Sequence, residues 1–175
     1  MPFDGDGCSD NAAYSMTTAL KIRVLIVDDH VMVRQGLRAV LQSYPNIDVV
    51  GEAGNGEEAI SSVAKLRPAI VVMDIGMPTL DGIGATRLIK RQYPQIAVLG
   101  LSVNAPTYQV EMMMKAGAFD VITKEKAVDE LYSAIQKAIA AIQHIFILEE
   151  GPSETAPAAE APQTFDVLSA KDTKI

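Results

Sequence analysis

The sequence predicts a doubly wound α/β fold, a five-stranded parallel sheet in the order 2-1-3-4-5 covered on both faces by five helices. Three observations carry that prediction. Short apolar runs alternate with amphipathic stretches of helical period five times between Lys21 and Ile142. The runs Val24–Val27 and Ile70–Met73 are apolar at every position and rich in β-branched residues, as strands buried on both faces are. Pro45, Pro68 and Pro94 each follow a helical stretch, where proline stops continuation. Strands joined by helical crossovers lie parallel and connect right-handedly, which leaves few topologies open.

The elements follow in order. Ile22–Val27 is the first strand, and Val31–Tyr44 the amphipathic helix after it. Asp48–Ala53 and Gly56–Leu66 form the second pair, Ile70–Asp74 and Gly82–Tyr93 the third. The fourth strand is Ala97–Ser102. Its helix, Pro106–Ala116, starts on a proline whose missing N–H is harmless in a first turn, and Gly117 is placed as a C-terminal cap. A short strand, Val121–Thr123, and a helix, Val128–Ile142, complete five β/α units. Residues 1–19 carry Asp4, Asp6 and Asp10 among small polar residues without a sustained period and read as a flexible leader, so the folded domain is expected over 20–148. Residues 149–175 are rich in Pro, Ala and Glu and cannot bury enough apolar area to offset ordering entropy. They read as a disordered tail in which only Phe165, Val167 and Leu168 could dock.

Composition narrows the function classes. A formal net charge of −7 gives the chain no long-range pull toward nucleic acid or anionic membrane. No apolar stretch approaches the roughly 20 residues a membrane span requires, and the acidic start is unlike a signal peptide. Cys8 is the single cysteine, which rules out an internal disulfide or a cysteine metal site and points to a cytoplasmic setting.

The chemistry concentrates at strand ends. Asp28 and Asp29 close the first apolar run and Asp74 closes the third, and in the order 2-1-3-4-5 these strands are neighbours at the switch point where such sheets bind ligands. Carboxylates crowded there need a hard cation, and Mg²⁺ takes one or two carboxylates, waters and phosphate oxygens. Ser102 ends the fourth strand and Lys124 follows the fifth. Together they make a phosphoryl-transfer set. Asp74 is the expected nucleophile, forming an acyl phosphate. Asp28 and Asp29, with Asp74 and the Gly76 carbonyl, are the expected Mg²⁺ ligands. Ser102 could donate to a phosphoryl oxygen, and Lys124 supplies a point charge to another.

The stretches VLIVDDHVMVRQGLRAVL (24–41), VVMDIGMPTLDGIGAT (71–86), VLGLS (98–102) and AGAFDVITKEKAVDELYSAI (116–135) resemble, in order and spacing, the receiver domain of two-component response regulators. The resemblance implies the flavodoxin-like variety of the fold and a phosphoryl group taken from a histidine kinase or phosphotransfer protein onto Asp74, then lost slowly to water. It implies a signalling phosphoacceptor rather than a turnover enzyme, one that catalyses only its own phosphorylation and dephosphorylation. It also implies a surface of the fourth helix, fifth strand and fifth helix, around Met113, Val121 and Leu131, that reports the state to a partner or to a second copy in a homodimer. The start of the chain's folded part is similar to receivers that precede a LuxR-type helix-turn-helix. FDVLSAKDTKI resembles only the opening of such an output domain, which needs about 60 more structured residues, so direct nucleic-acid binding is not expected and a fragment of a longer transcription regulator is the alternative. Departures stand at Val121, where the family commonly has an aromatic, at Glu125, where many members have proline, and at Val103, often alanine or glycine. Gly76 and Asn104, which flank the phosphoryl group, lack charged side chains.

Plainer readings compete. Asp28 and Asp29 could serve only as a helix N-terminal cap. His30 reads as polar surface, and Met112–Met114 as core plus a modest interface. Gly82 and Gly84 lack the strand-first spacing of a dinucleotide site, so DGIGAT reads as loop and helix start. An aspartyl-nucleophile phosphohydrolase would want a second acid two residues past Asp74, where Gly76 stands.

Overall fold

A computed structural model describes residues 21–104 and 106–149, with side-chain surroundings to residue 144. The readings made for residues 1–19, including Cys8, and for 150–175 lie outside the described residues. Five strands, β1 (Ile22–Val27), β2 (Ile47–Ala53), β3 (Ile70–Asp74), β4 (Ala97–Ser102) and β5 (Asp120–Thr123), form one parallel sheet in the order β2-β1-β3-β4-β5. Five helices alternate with them: α1 (Val31–Gln42), α2 (Gly56–Leu66), α3 (Gly82–Gln92), α4 (Thr107–Lys115) and α5 (Ala127–Glu149).

Successive strand residues point to opposite faces, and here both faces are covered. Val24, Ile26, Ile70, Val72, Leu99 and Leu101 pack against Leu37 and Leu41 of α1 and Leu131, Ile135 and Ala138 of α5. Leu25, Val27, Val71, Met73 and Val98 pack against Ala59 and Val63 of α2, Ile83 and Ile89 of α3 and Met113 of α4. Burying one such aliphatic side chain is worth roughly 1.5–3 kcal/mol, so the central strands are held rigid from both sides. Tyr44 and Tyr132 stack with ring centroids 3.8 Å apart, fastening the end of α1 to α5.

β1, α2, β3 and β4 begin and end where the sequence places them; the other elements differ by one or two residues at an end, and α5 by more, and the notable differences have local causes. Pro106 is the N-cap of α4 rather than its first residue; its carbonyl accepts from the N–H groups of Gln109 and Val110. Gly117, at φ +101°, completes the other end of α4: its N–H bonds the Met114 carbonyl while Ala118 N–H reaches back to Met113. Helix α5 runs on to Glu149 because no glycine or proline interrupts the chain until Gly151 and Pro152. β2 carries an extra residue, Val50, between the pairs Val24–Val49 and Leu25–Gly51. Arg67 ends α2 in the left-handed region at φ 47°, just before Pro68.

Two readings are corrected by burial. Met113 and Leu131 were expected on an output surface, but both are fully buried, because these positions of α4 and α5 are the ones that face the sheet. The exposed apolar residues nearby are Tyr108, Met112, Met114 and Val128. No helix among the described residues is long and apolar enough to cross a membrane.

Candidate functional site

The parallel register brings the strand ends to one edge. β1 and β3 are neighbours, with Val27 opposite Met73, so the residues that follow them meet at the carboxyl edge of the sheet. Asp28 is fully buried, Asp74 is 4% exposed, and the Asp29 side chain is 27% exposed. Lys124 follows β5, its N–H bonded to the Ser102 carbonyl at 2.7 Å, and its side chain crosses the edge to the acids. Its Nζ lies 2.5 Å from Asp28 Oδ2 and 3.0 Å from Asp74 Oδ2. Asp28, Asp29, Asp74 and Lys124 thus form one cluster.

Charge in this pocket is unbalanced, with three carboxylates facing one ammonium. Burial raises the pKa of Asp74; hydrogen bonding to Lys124 works against that, and the neighbouring Asp28 charge adds to it, so the carboxyl sits above its ordinary value. Burial opposes the charge on Lys124, but its hydrogen bonds to Asp28 and Asp74 outweigh that and raise its pKa.

The donor set fits a hard divalent cation. Ligand atoms of Asp28, Asp29, His30 and Asp74 lie within 4.8 Å of one another. Asp28 Oδ2 and Asp29 Oδ1 are both buried, the first paired with the Lys124 ammonium at 2.5 Å and the second 2.8 Å from His30 Nδ1. Three carboxylates this close carry more negative charge than one ammonium balances, a surplus that a Mg²⁺ ion would offset.

The remaining expectations divide. Ser102 is buried at the end of β4, one position beyond Leu101, the register partner of Asp74. Among the described residues its hydroxyl makes no hydrogen bond to Asp74 or Lys124. Gly76 is exposed and donates its N–H to Asp74 Oδ1 at 3.4 Å, a long contact. Asp28 and Asp29 do not cap α1. The N-cap is His30, whose carbonyl accepts from Val33 and Arg34, while Asp28 Oδ1 accepts the His30 N–H at 2.9 Å. Val103 is exposed and Val121 partly buried against the α4 side of the core.

Two residues have a place at the site beyond what the sequence suggests, where His30 reads as polar surface and Gly82 as part of a helix start. His30 places Nδ1 2.8 Å from Asp29 Oδ1 and 3.4 Å from Asp28 Oδ1, so it belongs to the cluster although its side chain is 68% exposed. Its adjacency to the acid pair was the available signal. Gly82, the first residue of α3, lies so close to Asp74 that a Cβ there would sit 2.0 Å from the Asp74 carbonyl oxygen. Nothing in the local pattern marked it, since the constraint comes from a residue eight positions away.

Comparison with known proteins identifies the family. Residues 24–136 match the family model of the response regulator receiver domain. The transcriptional regulatory protein DegU of Brevibacillus brevis is 36% identical over 116 residues, which are 66% of this chain and 49% of that protein. Response regulator GacA of Pseudomonas protegens is 34% identical over 157 residues, 88% of this chain and 73% of that protein. The chain therefore spans about half of DegU and most of GacA. Among solved structures, the response regulator domain of Thermotoga maritima CheB superposes with a TM-score of 0.65 at 33% identity, covering 69% of this chain and 97% of that one. A chain of the CheX–CheY–BeF₃–Mg²⁺ complex from Borrelia burgdorferi superposes at 0.65 with 26% identity, covering 70% of this chain and 92% of that one. With its sheet order, its acid cluster at the carboxyl edge and these likenesses, the chain belongs to the receiver domain family of two-component response regulators.

Proposed function

We propose that Asp74 accepts a phosphoryl group from a histidine kinase or phosphotransfer protein. The observation that carries this reading is the ion-paired cluster itself, in which a buried carboxylate at the end of the central strand shares Lys124 with Asp28. An Asp74 oxygen attacks the phosphorus, the bond from phosphorus to the donor's imidazole nitrogen breaks, and that nitrogen keeps the electron pair and takes up a proton. The product is an aspartyl phosphate. Later attack by water breaks the new P–O bond and returns carboxylate and inorganic phosphate, so the domain acts on no substrate but itself.

Asp28 and Asp29, with Asp74 and the Gly76 carbonyl, would hold Mg²⁺, which when bound neutralises charge on the transferring group. The Mg²⁺ in the Borrelia complex supports that choice of ion. Lys124 gives up Asp74 Oδ2 and turns its ammonium to a phosphoryl oxygen, and Ser102 donates its hydroxyl to another. Phosphorylation places two negative charges and three acceptors beside the ends of β4 and β5, biasing the loops that follow toward a second arrangement. The face that reports this state is formed by α4, β5 and α5, where Tyr108 and Met112, one helical turn apart, and Val128 are exposed to a partner or a second copy.

Incubation with acetyl phosphate and Mg²⁺ tests the reading by intact mass. Wild type gains about 80 Da, one phosphoryl group in place of a proton, and Asp74→Asn gains nothing. An unmodified wild type, or a variant that still gains the mass, would overturn it.

A further inference from the structure

The peptide bond joining Asp28 to Asp29 lies just beyond the paired part of the sheet, whose last β1 pairs are Val27 with Ala53 and Val27 with Met73. The Asp28 N–H reaches back to the Ala53 carbonyl at 3.2 Å. The Asp28 carbonyl is held by a side chain instead: Arg34 Nη1 donates to it at 2.6 Å. Arg34 stands one turn into α1 with its side chain only 15% exposed, and its Nε donates to Glu52 Oε2 at 3.1 Å. Glu52, in β2, is anchored in turn by Arg38, whose Nε donates to Oε1 at 2.5 Å. A planar guanidinium thus ties together a strand, a helix and the turn that carries the acids, its rigid fork holding both acceptors in one plane as a freely rotating ammonium does not.

Because a peptide unit is planar, fixing the Asp28 carbonyl also fixes the Asp29 N–H and the plane from which both acidic side chains depart. We infer that Arg34 is a positioning residue for the acid pair, clamping the Asp28–Asp29 peptide so that both carboxylates face Asp74. The consequence for cation binding rests on the phosphoacceptor reading; the clamp itself does not.

Two measurements on Arg34→Ala and Arg38→Ala test the inference. Arg38 shares Glu52 but touches neither acid, so it controls for loss of the ion pair alone. In calorimetric titration with Mg²⁺ alone, Arg34→Ala weakens binding about tenfold or more, as loss of a partner behind metal ligands does, while Arg38→Ala stays within about twofold of wild type. In metal-free hydrogen exchange, the Asp29 and His30 amides exchange about tenfold faster in Arg34→Ala than in Arg38→Ala, with core-strand amides as the reference for global opening. Arg34→Lys gives the same ordering should Arg34→Ala unfold. Unchanged exchange at these amides overturns the clamp, as does a folded Arg34 variant with wild-type Mg²⁺ affinity. A wild type that binds no Mg²⁺ would instead sink the phosphoacceptor reading, and the exchange experiment would still judge the clamp.

Discussion

Asp74 is a carboxyl group that the fold makes costly to ionise. Burial and the Asp28 charge hold its pKa above the ordinary 3.8, and Lys124 only partly offsets them. A carboxyl whose folded pKa is raised binds its proton more tightly in the folded state, so its contribution is neutral below the unfolded pKa. Stability is then lost as pH rises from there through the folded pKa. Asp74→Asn removes that loss. In urea unfolding with EDTA the variant is more stable than wild type at pH 7, and the gap closes as pH falls below the unfolded value; a variant less stable than wild type at pH 7 would contradict this account. The same excess of negative charge favours a cation within the pocket.

Among the elements, α3 and α4 show how two glycines meet different constraints. Gly117 is required by its own backbone, since φ +101° is left-handed territory that side chains disfavour. An added Cβ would also press 3.0 Å from the Lys90 side chain. Gly82 needs no left-handed φ but abuts the Asp74 carbonyl, so any side chain there displaces α3 from the phosphoacceptor strand. Gly117→Ala should lower stability by about 1–2 kcal/mol while leaving phosphoryl uptake near wild type. Gly82→Ala should slow uptake from acetyl phosphate by at least about tenfold, because small misplacements of reacting groups are felt steeply. Equal uptake by the two variants, both verified as folded, would refute the distinction. Gly117 could be assigned from the sequence because a helix end announces itself locally, whereas the contact of Gly82 with Asp74 could not.

For the whole molecule, the cluster couples cation binding to global stability. A ligand that binds only the folded state stabilises it by about 2.7 kcal/mol at one hundred times its Kd. Mg²⁺ titrated into thermal or urea unfolding experiments should raise wild-type stability by that amount and leave an Asp28→Asn, Asp29→Asn double variant unmoved; an equal rise in both would place the ion elsewhere. By itself the sequence determined the five β/α units, their parallel order and the candidacy of Asp28, Asp29, Asp74, Ser102 and Lys124, because period, punctuation and position at strand ends are local properties. Only the tertiary structure decided that Lys124 bridges Asp28 and Asp74, that His30 joins the acids, that Met113 and Leu131 are core, and that Arg34 holds the Asp28 carbonyl. Those depend on distances between residues far apart in the chain, which packing sets and no local pattern encodes.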